Sequence, residues 1–173
     1  NVVAAHLDAT QAVAENNATV VEDSSFTGTT RLWGVRLVAE NQGIASGNHV
    51  ALSGTKFSGS SNVAAVSLGA TQAETENNAM LVEDSSFTGT TSLLGVHLAA
   101  EKRGVASGTS VSVSGATVSG YGLIEAVSVY SQDTVEVNNS TLLLSDVSMD
   151  GEPALIAGVD SSGKTVSVQN TLV

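Results

Sequence analysis

Apolar and polar residues alternate with a period of two along most of the chain, as in Gly34-Val35-Arg36-Leu37 and Val111-Ser112-Val113. Such alternation, rich in β-branched residues, marks strands that bury one face. No segment sustains a helical period. One stretch resolves into three short predicted strands: Gly34 to Val38, His49 to Ser53 and Thr55 to Ser58. Ser53-Gly54 supplies the bend between the last two, and Glu22-Asp23 or Glu83-Asp84 takes that place in alternate copies. Gly, Asp and Asn suit such corners because they tolerate unusual backbone angles. Gly28–Trp33 and Glu40–Asn48 read as loops.

The pattern returns at a fixed interval. Val21 to Thr30 recurs whole at Val82 to Thr91, 61 residues on. Within that duplication lies a shorter step: Phe26-Thr27-Gly28 is followed by Phe57-Ser58-Gly59, Phe87-Thr88-Gly89, Val118-Ser119-Gly120 and Met149-Asp150-Gly151, at intervals of 31, 30, 31 and 31 residues. Three apolar ladders keep the step: Leu7, Leu37, Leu68, Leu98, Val129 and Val159; Val21, Leu52, Val82, Val113 and Leu144; Leu32, Val63, Leu93, Ile124 and Leu155. A polar column runs Asn17, Asn48, Asn78, Thr109 and Ser140.

A strand-rich unit repeated this way predicts an all-β fold: a right-handed, three-faced parallel β-helix, whose coils stack about 4.8 Å apart. Nearly six coils of 30–31 residues fit the chain, starting near positions 4, 34, 65, 95, 126 and 156. Parallel crossovers favour the right hand; a left-handed helix is the alternative. Residues 1–173 read as one segment. With Asn1-Val2-Val3-Ala4 opening on a coil and apolar Leu172-Val173 closing it, the segment is expected to be a piece of a longer rod.

Composition sharpens this picture. The 173 residues include no Cys and only six aromatics, so stacked aliphatic columns replace an aromatic core. Without Cys, no disulfide or thiolate metal site can form. Seventeen acids against six bases leave a net charge of −11, which makes nucleic acid an unsuitable partner. No apolar run approaches the roughly 18 residues of a membrane span, so the segment is not expected to cross a membrane.

Ala65-Val66-Ser67-Leu68-Gly69-Ala70 leading to Phe87-Thr88-Gly89, and Gly34-Val35-Arg36-Leu37 leading to Val50-Ala51-Leu52-Ser53-Gly54, resemble coils of pertactin-type passenger domains. Those belong to the type V secretion autotransporters of Gram-negative bacteria. The resemblance covers most of the chain as a coil pattern. It implies a rod at the bacterial surface or released from it, acting in adhesion, aggregation or virulence, with a host surface protein, a glycan or another copy as partner. Absence of Cys agrees with passage of an unfolded chain across the outer membrane.

Candidate chemistry is sparse. Glu22-Asp23 and Glu83-Asp84 lie two coils apart with Ser53-Gly54 between, so the adjacent-coil carboxylates of a β-helix lyase or hydrolase are not expected. His6 and His97 share an outward column with Arg36, Ser67 and Ser128 but stand three coils apart, and His49 belongs to another strand. No catalytic set, metal site or cofactor is therefore predicted. Two outward columns flank the Phe26 ladder: Ser25, Lys56, Ser86, Thr117 and Ser148, and Thr27, Ser58, Thr88, Ser119 and Asp150. This hydroxyl-rich face suits a glycan or a second rod; Lys56 and Asp150 interrupt the regular Thr array that ice binding prefers. Trp33, the only tryptophan, lies near Arg31 and Arg36 and offers a surface for a sugar ring. Its column continues Ala64, Leu94, Glu125 and Ile156; Glu125 places that column outward or in a loop. The expected function is a non-enzymatic adhesin or self-association module, with a spacer stalk and a carbohydrate-active or tailspike-type segment as alternatives.

Overall fold

The computed structural model describes residues 2–150, 154–162 and 165–169. These residues form a parallel β-solenoid, with no helix among them. Each coil contributes to three parallel sheets. The broad sheet takes Val2–Glu15, Thr30–Ser46, Ser61–Glu76 and Thr91–Ser107, then the divided runs Gly122–Ser131 with Thr134–Asn138 and Ala154–Ser162 with Thr165–Gln169. The second sheet stacks Ala18–Glu22, His49–Ser53, Ala79–Glu83, Ser110–Ser114 and Thr141–Ser145. The third stacks Ser25–Thr27, Lys56–Ser58, Ser86–Thr88, Thr117–Ser119 and Ser148–Asp150. Gly151 and the apolar end Leu172-Val173 lie outside the described residues.

The segments expected as loops are mostly strand. Thr30–Ser46 is one run, and only Gly28-Thr29 and Gly47-Asn48 turn. The polar Glu40-Asn41-Gln42 stretch is an exposed irregularity inside that strand, where pairing shifts between Ala39 and Gln42. Its composition resembles a loop, yet the strand around it stays paired to the neighbouring coil.

Inward columns carry the core. Leu7, Leu37, Leu68, Leu98 and Val129 pair in sequence, as do Val21, Leu52, Val82, Val113 and Leu144. The last coil corrects two predicted rungs. Gly122 pairs with Ala154, a step of 32 residues, so Val159 meets Val127 rather than Val129, and Ile156 rather than Leu155 meets Ile124. The neighbouring run Ala154-Leu155-Ile156-Ala157 is apolar throughout and left that register ambiguous.

Phe26, Phe57 and Phe87 stack face to face with centroids 4.9 Å apart, the spacing of the coils themselves. Asn48 and Asn78 are fully buried and hydrogen-bonded coil to coil: Asn48 Nδ2 donates to Asn78 Oδ1 at 3.0 Å, and Asn17 Nδ2 donates to Asn48 Oδ1 at 2.9 Å. Buried amides are tolerated because each is satisfied. The corners use left-handed residues at matching places: Asp23, Gly54, Asp84, Gly115 and Asp146 at one, Asn16, Gly47, Asn77, Gly108 and Asn139 at another.

Candidate functional site

The broad sheet is kinked. Gly34 and Val35 are both buried, although successive strand residues ordinarily point to opposite sides. The corresponding positions in the following coils hold Ala65, Gly95 and Ala126, all small and buried. Space explains the choice: a Cβ on Gly34 would stand 2.7 Å from both the Ala65 carbonyl oxygen and Val50 Cγ2. The wall therefore folds inward at this column, and the outward columns beside it line a groove along the rod.

That groove has a volume of about 290 Å³ and is lined by Arg31, Trp33, Arg36, Asn62, Ala64, Ser67, Leu94 and His97. Register brings them together: Arg31 pairs with Asn62, Trp33 with Ala64 and Arg36 with Ser67, while Leu94 pairs with Ala64 and His97 with Ser67. Ala64 and Leu94 form a buried apolar floor. The Arg36 guanidinium lies 5.2 Å from the Trp33 ring centroid, and Trp33 Nε1 donates to Asn62 Oδ1 at 3.4 Å. Those two contacts hold the indole in place. Neither Arg31 nor Arg36 makes an ion pair among the described residues; the one ion pair found is Arg103 with Glu136, at 3.3 Å.

His97 closes the row of Arg36 and Ser67. Its Nδ1 is buried without a hydrogen-bond partner, and burial lowers its pKa from 6.5. One coil further, Glu125 is the next residue of the Trp33 column, 2 % exposed. Burial raises its carboxyl pKa, the charge of Asp160 raises it further, and a hydrogen bond from Ser128 works the other way. Two expectations are corrected here. The Trp33 column is strand, not loop, and its acid is buried, tolerated because Ser128 supplies a partner and protonation is favoured. Carboxylates in adjacent coils do occur: Asp160 pairs with Ser128 in register, one coil beyond Glu125. Ala157 rather than Ile156 stands opposite Glu125.

The predicted residues fall in two places. Trp33 and Arg36 line the groove. Ser25, Thr27, Lys56, Ser58, Ser86, Thr88, Thr117 and Ser119 form the two outward columns of the third sheet in the expected register. All but Ser86 and Ser119 are exposed. His6, three coils from His97, is exposed, and His49 is on the second sheet. The acids Asp23 and Asp84 are corner residues with φ of 46° and 47°.

The outward column of His6, Arg36, Ser67, His97 and Ser128 pairs as expected; sequence reasoning missed Asn62 and the meeting of that column with the Trp33 column in one groove. The available signal was the alternating Gly/Ala column at Gly34, Ala65, Gly95 and Ala126, which breaks strict in–out alternation. Sequence reasoning also missed an outward column on the second sheet, Val20, Ala51, Leu81, Ser112 and Leu143, apolar except at Ser112, half-buried in the middle and exposed at its ends, Val20 by 60 % and Leu143 by 58 %. A second cavity of about 240 Å³ is lined by Gln11, Asn41, Gln42, Thr71, Gln72 and Lys102, neutral apart from one amine. Among the described residues no group of three or more His, Asp or Glu could hold a metal ion.

Compared with known proteins, the chain matches no family model, no curated protein and no solved structure.

Proposed function

We propose that the chain is a segment of a right-handed adhesive rod, of the autotransporter passenger type, displayed on or released from a bacterial surface. It binds without turnover, presenting a groove and flat faces to a host protein, a glycan or a second copy. One observation carries the reading: Arg31, Trp33 and Arg36 gather in a single groove. Elsewhere the columns repeat aliphatic, hydroxyl and amide residues, and the Phe26, Phe57 and Phe87 ladder packs into the core. Cationic and aromatic side chains concentrated at one concave place are the usual composition of a recognition site. The hydroxyl columns of the third sheet supply a surface for lateral association, where repetition adds avidity.

The test is adhesion of beads coated with the chain to cultured cell monolayers. Adhesion should fall at least about tenfold in the Arg31→Gln/Arg36→Gln variant and persist in Lys102→Gln. Equal adhesion by the groove variant and the parent overturns the reading.

A carbohydrate-active segment is the second reading, favoured by the buried, raised-pKa Glu125 beside Asp160. It requires polysaccharide cleavage by the purified chain that Glu125→Gln abolishes.

A further inference from the structure

The groove's chemistry goes beyond a general adhesive role, and the assignment rests on the adhesive reading above. The geometry points to a binding site for one carboxylated sugar residue at the end of a glycan chain, seated against Trp33 with its carboxylate held by Arg31 and Arg36.

Charge is the first argument. The chain carries net −11, yet no Asp or Glu lines this groove, while two of its six Lys and Arg residues do. Neither guanidinium has an ion-pair partner among the described residues. A planar guanidinium fork matches a carboxylate through two parallel hydrogen bonds, and each such bond gains from charge assistance. On an acidic surface, an unpaired pair of arginines selects an anion.

The remaining lining selects a sugar. Trp33, fixed by Arg36 and Asn62, provides the flat apolar surface on which a pyranose ring packs. Ser67 and the His97 imidazole line the groove and supply polar atoms for hydroxyl groups. A volume of about 290 Å³ lies at the lower end of ligand pockets, so one or two rings fit rather than a long chain segment.

Position along the rod sets the end preference. Beyond Leu94 the floor column reaches Glu125, and beyond His97 the wall column reaches Ser128 and then Asp160. A polyanion extended along the groove in that direction would run from the arginines to the exposed Asp160 carboxylate. A glycan with a single terminal acidic residue avoids it.

The single tryptophan makes its fluorescence a direct reporter of the site. Trp33 emission should change saturably with a glucuronic acid-terminated disaccharide. The neutral glucose-terminated disaccharide, inorganic phosphate and a long polyuronate should each bind at least about tenfold more weakly per sugar or ion. Arg36→Gln should weaken glucuronide binding by about tenfold or more, with Arg36→Lys intermediate, Lys102→Gln unchanged, and the far-ultraviolet spectrum of every variant unaltered. No response to glucuronide, or an equal response to the neutral disaccharide, to phosphate or to the polymer, overturns the assignment. If adhesion still depends on Arg31 and Arg36 in that event, the sugar assignment alone falls; if it does not, the adhesive reading falls as well.

Discussion

The Asp23 carboxylate lies over Gly54 of the next coil, so close that a Cβ on Gly54 would stand 2.5 Å from Asp23 Oδ1. The same relation holds for Asp84 over Gly115, Asn16 over Gly47 and Asn77 over Gly108. A side chain in one coil occupies the space above the glycine of its neighbour. This gives the 61-residue duplication a physical basis: corners alternate Asp or Asn with Gly because two consecutive side chains would collide.

Glycine substitutions should therefore divide by environment as well as by φ. Gly28, with φ of +86° and no atom near its would-be Cβ, should lose about 1–2 kcal/mol on change to Ala, from backbone strain. Gly59→Ala should lose clearly more, since its Cβ would meet the Gly28 carbonyl oxygen at 2.6 Å, and backbone cannot move aside as a side chain can. Urea unfolding of the two variants measures the difference.

Asn48 should be a costly position. Its Oδ1 accepts from the Asn17 amide groups, and its Nδ2 donates to Asn78 Oδ1 and the Ala14 carbonyl. Asn48→Leu leaves those buried groups unpaired and should destabilise by about 2–4 kcal/mol. Asn48→Thr should cost less, because its hydroxyl keeps an acceptor for the Asn17 amide. Equilibrium unfolding of both variants gives the ranking.

Phe57 sits between two stacked rings, so Phe57→Ala opens a cavity on both sides. A loss of about 3–5 kcal/mol is expected, with Phe57→Leu smaller because Val118 already continues the column. Thermal unfolding of the pair tests it.

Glu125 and His97 predict opposite pH slopes. Glu125 has a folded pKa above its unfolded value, so the native state holds the extra proton between the two. Stability from this group is highest at low pH and declines as pH rises through the raised folded value. His97 has a folded pKa below 6.5, so the unfolded state binds more protons in that window and stability rises with pH up to about 6.5. Glu125→Gln, which keeps an acceptor for Ser128, should raise the melting temperature at pH 7 and remove the decline. His97→Gln should remove the rise. Melting temperatures from pH 4 to 8 separate the two slopes.

The coil register was legible because it rests on spacing alone: Phe26, Phe57 and Phe87 announce it without any knowledge of shape. The groove was legible in part: spacing alone aligns Arg36, Ser67 and His97, but that column meets Trp33 and Asn62 in one concavity only where the sheet kinks at Gly34. At the kink Gly34 lies close against Val50 of the second sheet, a contact that no alternation pattern reports. Glu125 was read as exposed because its acid suggested water. Its burial depends on Ser128 and on the neighbouring groove walls, which are properties of the assembled coil.

Residues some thirty positions apart stand side by side in the groove, and the absence of Cys from the chain makes this directly measurable. Arg36 pairs with Ser67, and Ser67 with His97. Strands in adjacent coils lie about 4.8 Å apart, within disulfide reach, whereas two coils span about 10 Å, beyond it. Under mild oxidation, Arg36→Cys/Ser67→Cys should form an intramolecular disulfide in the native protein, and Arg36→Cys/His97→Cys should not. Failure of the first pair to close, or equal closure of both, would contradict the register on which the groove is built.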